Sequence, residues 1–117
     1  TQLNAYAADQ LATGDAVGAR ASYVESASIM RALVAADTAN AEHGRDLAYA
    51  LDRLAGVQLA LGDADAALAT ARDAVARYTA LRATAGAGGR ALDDLANGLG
   101  VEAAALARLG RLDAAIA

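Results

Sequence analysis

The sequence predicts an all-α fold, an array of antiparallel helix pairs, on three observations. About a third of the 117 residues are Ala, and Pro, Trp and Phe are absent; Ala is the best helix former and Pro the worst. Apolar residues recur at spacings of three and four, the helical period. The chain also matches itself when slid by 48 positions without a gap. Gly14 falls on Gly62 and Gly110, Leu3 on Leu51 and Leu99, and Ala19 on Ala67 and Ala115. Such internal repetition marks a stacked-repeat architecture.

Each element follows from that register. First helices are predicted over 1–13, 45–61 and 91–109, and second helices over 16–36 and 64–84, with a truncated one from 112. Around Leu47, Leu51, Leu54, Ala55 and Leu61 the apolar positions surround most of a helix, which predicts burial on several sides. Ala67, Leu68, Ala71, Ala74, Val75, Tyr78 and Leu81 form one stripe of the next helix. The two-residue corners Gly14-Asp15, Gly62-Asp63 and Gly110-Arg111 force the paired helices to run antiparallel. Gly ends one helix in the left-handed conformation and Asp caps the next. Arg111 supplies no such cap, so the third corner is expected to be the weakest. The polar or Gly-rich connections 37–44 and 85–90 separate units of about 1–44, 45–90 and 91–117, within a single domain.

Composition excludes several functions. Net charge is −4, and all ten cations are Arg, scattered among Asp, without the basic stripe of a nucleic-acid module. No apolar run approaches a membrane span. The absence of Cys removes any disulfide framework and fits a cytoplasmic location. Without Lys there is no phosphate-binding P-loop, and Lys or Cys nucleophiles are ruled out. His43 alone makes no two-His zinc site; it is expected as a solvated loop residue. No cofactor or metal is expected.

Three further motifs read as structure. The stretch 63–74 fails as a calcium loop, because Ala67, Leu68 and Ala74 stand where that loop needs ligands and Gly. Gly86, Gly88 and Gly89 follow a helix and lack the strand that a dinucleotide fingerprint requires. Asp93-Asp94 suits a helix start. Ser22, Ser26 and Ser28 with His43 form no recognisable triad, so no catalytic residue is predicted. Gly56, Gly98 and Gly100 stand inside helices, where Gly costs about 1 kcal/mol against Ala; close packing or an approaching ligand would justify them.

The run 45–75 carries Leu51, Leu54-Ala55, Leu61-Gly62-Asp63, Ala67 and Ala74. With these residues the chain resembles the tetratricopeptide repeats of the long-helix, kinesin-light-chain-like kind, over about two and a half units. The resemblance implies an α-α superhelix whose first helices line a concave groove for a peptide or partner protein, often within larger bacterial signalling or scaffold proteins. It places Asn4, Ala8 and Leu11, then Tyr49, Asp52, Gly56 and Leu59, then Asn97, Gly100, Ala104 and Ala107 on that groove. Asp52, Gly56 and the lack of Lys do not reproduce the carboxylate clamp of one subgroup. The expected function is a non-catalytic protein-interaction scaffold. The alternative is a structural or self-assembling segment, or a regulatory arm of a larger signalling protein. Thr1 opens the chain and no polar capping helix closes it, so a fragment, or end-to-end self-association, is expected.

Overall fold

A computed structural model describes the backbone of residues 2–85 and 89–116, and side chains within 3–81, 83 and 97–110. Five helices follow one another: α1 (Gln2–Ala12), α2 (Ala16–Ala36), α3 (Ala41–Ala60), α4 (Ala64–Ala85) and α5 (Gly89–Ile116). No strand occurs among the described residues. Consecutive helices pack on one another in chain order, and α3 also meets α5. The fold is all-α and repeat-like. Its extents are 47 × 30 × 24 Å and its radius of gyration 14.5 Å, above the roughly 13 Å expected of a compact chain this long.

The first two corners are copies of each other in atomic detail. Gly14 and Gly62 have φ of 90° and 88°, the left-handed region open to Gly at little cost. The Gly14 amide donates to the Leu11 carbonyl at 3.1 Å and the Asp15 amide to that of Gln10 at 2.8 Å. Forty-eight residues on, the Gly62 amide donates to Leu59 at 3.1 Å and that of Asp63 to Gln58 at 2.9 Å. These paired bonds satisfy carbonyls that a helix end leaves open. The carboxylates then reverse role and cap the next helix. Asp15 Oδ1 accepts from the Gly18 amide at 2.9 Å, and Asp63 Oδ1 from the Ala66 amide at 3.3 Å.

The structure corrects the sequence reading in three places. The Gly110 corner does not form: α5 continues through it to Ile116, and there is no separate helix from 112. Without an acidic cap at 111, uninterrupted intrahelical bonding prevails over the turn. Helix α3 starts at Ala41 rather than 45, because Asn40 is an effective cap. Its Oδ1 accepts from the amides of Glu42 at 3.1 Å and His43 at 3.2 Å. The connection after α2 therefore shrinks to 37–40, and His43 is a half-buried residue of the first turn of α3. Helix α5 begins at Gly89, ahead of Asp93-Asp94. Residues 86–88, the centre of the second connection, lie outside the described residues, as do the Asp93 and Asp94 side chains.

The core is a chain of small clusters rather than one centre. Ala7, Ala19, Tyr23, Leu54 and Val57 pack together between α1, α2 and α3. Ala27, Met30, Leu47, Ala50, Leu51 and Ala74 do so between α2, α3 and α4. Helix α4 contributes a nearly all-Ala seam, Ala64, Ala67, Ala71 and Ala74, each buried. Small side chains bring helix axes close, and Gly98 shows how close. A Cβ there would stand 3.1 Å from Val75 Cγ2, so this Gly serves the α4–α5 contact.

Candidate functional site

The first helices converge on one cleft of about 150 Å³, lined by Leu11, Tyr23, Asp52, Arg53, Gly56, Val57, Asn97 and Val101. Leu11 comes from α1, residues 52–57 from α3, and Asn97 and Val101 from α5. Arg53 of α3 and Val101 of α5 stand 48 residues apart, at equivalent positions of the sequence repeat. Gly56 keeps the middle of the cleft open, because a Cβ there would meet nothing within 4 Å.

The polar groups of the cleft are held by their neighbours. Asp52 is 5% exposed. The Arg53 guanidinium lies over the Tyr49 ring, 5.1 Å from its centroid, a cation–π arrangement. Burial works against the Arg53 charge, but Tyr49 and then Asp52 favour it, and its pKa is raised. The Tyr23 hydroxyl is pushed up by burial first and by Tyr49 second, with Arg53 opposing. Both shifts keep Arg53 charged and Tyr23 neutral at pH 7.

Of the residues predicted for the groove, the cleft brings together Leu11, Asp52, Gly56 and Asn97. Tyr49 stands at its edge through Arg53. Leu59 does not line it; the Leu59 carbonyl instead accepts a hydrogen bond from Arg108 Nη1, which ties α5 to the end of α3. Asn4 is a correction. It is buried at 6% exposure, and its Oδ1 accepts from Ser26 Oγ at 2.7 Å. Its side chain turns into the α1–α2 seam, where a neighbouring hydroxyl bonds it. Ser22 Oγ makes the equivalent bond one turn away, donating to Gln10 Oε1 at 2.6 Å. These serines are polar stitches between two helices.

Sequence reasoning missed Tyr23, Arg53, Val57 and Val101. The i,i+4 spacing of Tyr49 and Arg53 was the available signal, since such neighbours share a helix face. Tyr23 had no local signal, because it reaches the cleft from a second helix.

A larger groove of about 450 Å³ lies on the other side, between α2 and α4, over Leu51 and Leu54 of α3. Arg31 Nη2 and Asp73 Oδ2 bridge it at 2.8 Å. Arg77 holds the other Asp73 oxygen at 2.9 Å. Burial pushes the Asp73 carboxyl up, but the hydrogen bond from Arg31 and the charge and hydrogen bond of Arg77 outweigh it and hold its pKa below the ordinary value. These charges satisfy one another.

Among the described residues no three His, Cys, Asp or Glu side chains are grouped to hold a metal ion, and no helix is long and apolar enough to cross a membrane. No family model matches this chain, and neither a curated protein nor a solved structure does so.

Proposed function

We propose that the protein is a non-catalytic interaction scaffold, a tetratricopeptide-like α-α superhelix that receives a peptide or partner protein on the face where its first helices converge. The observation that carries this reading is the cleft itself. Residues from α1, α3 and α5 line one depression, a continuous surface that no single helix pair could offer. Its apolar wall of Leu11, Val57 and Val101, with a few fixed polar groups, suits a peptide side chain.

Gly56 makes the reading testable. An Arg introduced there projects into open space, so it blocks the cleft without disturbing the core. Peptides selected from a random display library on the wild-type protein are expected to bind Gly56→Arg at least tenfold more weakly, with thermal stability equal to wild type or higher. Selected peptides that bind both proteins equally would place recognition elsewhere.

A further inference from the structure

We propose, resting on the cleft as the partner-binding face, that it takes a basic side chain of the partner, lysine or arginine, and that Asp52 is the group that selects it. The first ground is the sequence repeat. Asp52 is the copy of Asn4, 48 residues on, and Ala74 is the copy of Ser26. In the first unit Ser26 Oγ donates to Asn4 Oδ1 at 2.7 Å, which commits Asn4 to the α1–α2 seam. Ala74 has no hydroxyl, so the second unit cannot repeat that bond. The Asp52 carboxylate is turned toward α5 instead, where a Cβ on Gly98 would stand 3.9 Å from its Oδ1. There it lines the cleft, at only 5% exposure.

The second ground is chemical fit. Leu11, Val57 and Val101 give the cleft an apolar wall beside this nearly buried acid. Lysine and arginine carry a charged head on an aliphatic stem and lay the stem along apolar surface. A neutral apolar side chain would cover the carboxylate without giving it a donor, which costs free energy, and an acidic one would meet a like charge. Arg53 does not take the place of the ligand. It is an exposed residue, and its guanidinium is held over the Tyr49 ring, 5.1 Å from the centroid. A carboxylate has about four acceptor sites, so Asp52 can favour the Arg53 charge and receive an incoming donor at once.

The charge of the whole chain acts in the same direction. Fourteen Asp and Glu outnumber ten Arg, for a net charge of −4, and such an excess attracts a basic partner from a distance. A cleft of about 150 Å³ has room for one such side chain, so a single basic position of the partner is read.

The test uses peptides selected from a random display library on the wild-type protein, each paired with a synthetic copy carrying norleucine, which has the stem of lysine without its charge, at the basic position. The selected peptides are expected to share a lysine or arginine at one position. Their norleucine copies are expected to bind wild type roughly tenfold more weakly or worse, a measurement that needs no protein variant. Asp52→Asn keeps the side-chain shape. It is expected to weaken the basic peptides by a similar factor and the norleucine copies less than about twofold. Circular dichroism shows whether the variant has folded. Selected peptides without a common basic position overturn the proposal, as do norleucine copies that bind wild type as tightly as their parents. So does a folded Asp52→Asn protein that loses the same factor for both peptides. In each of these cases weaker binding to Gly56→Arg would still uphold the cleft as the binding face. Equal binding to Gly56→Arg and wild type removes the cleft reading and this proposal together.

Discussion

Four glycines inside or between helices do three different things, and each has its own energetic signature. At Gly62 the backbone sits at φ 88°, where a Cβ costs about 1–2 kcal/mol. Gly62→Ala should lower the unfolding free energy by that amount in urea denaturation, and Asp63→Ala, which removes the cap, by about 0.5–2 kcal/mol. Gly56 and Gly100 have free space where a Cβ would go. Replacing either by Ala should raise stability by about 0.5–1 kcal/mol, the usual helix-interior difference. Gly98→Ala should instead be destabilising, because Val75 Cγ2 stands 3.1 Å from the new Cβ in a seam with little room to yield. Asn4→Ala should cost about 1–3 kcal/mol, since it strands the buried Ser26 hydroxyl. The resemblance placed Asn4 on the groove, and the sequence marked Gly98 as a glycine inside a helix. Only packing shows that one is a buried hydrogen-bond acceptor and the other a close-contact position.

Helices α2 and α4 are joined mainly through α3, and Asp73 is their direct tie. Its ion pairs are partly exposed, with side-chain exposure of 33% at Asp73 and 48% at Arg31, so Arg31→Ala should cost at most about 1 kcal/mol. The pH dependence is the sharper test. The folded carboxyl titrates below its ordinary 3.8, so its contribution is present above that value and is lost as pH falls through the lower folded one. Asp73→Asn should therefore be less stable than wild type at pH 7, and the difference should shrink as pH falls below the folded pKa. Tyr23 behaves in the opposite sense. Its pKa is raised from 10.0, so the stability it lends is complete below that value and fades as pH rises through the higher folded one. The element boundaries teach a related point. The Gly-Asp corners were legible because each needs only four or five local residues. The start of α3 was misjudged by four residues, because Asn40 was taken as one more polar loop residue when it is the cap. The end of α5 was misjudged because a glycine permits a turn and does not compel one.

At the scale of the molecule, a chain of small clusters predicts graded stability. Stacked units gain most of their stability from neighbours, and α3 has neighbours in α2, α4 and α5. Its Leu47, Ala48, Ala50, Leu51 and Ala55 are all 2% exposed or less. Amide hydrogen exchange should be slowest in α3, and α1, which is short and packs chiefly on α2, should open first. Uniform protection across the five helices would mean a single cooperative core.

What the sequence by itself determined is the local and periodic part of this protein. Helix class, the corners at Gly14 and Gly62, and the equivalence of units 48 residues apart all follow from propensity, capping and spacing, which act over a few residues. The cleft was partly legible, because the register predicts which faces align. Tertiary structure alone decided which aligned residues remain open. Asn4 was lost to Ser26, Leu59 offers only its carbonyl, and Tyr23 and Arg53 joined Asp52, Gly56 and Asn97. It also decided that α5 runs straight through Gly110. The reason is the same in each case: burial and hydrogen-bond satisfaction depend on what a neighbouring helix presents, and spacing along one helix does not contain that information.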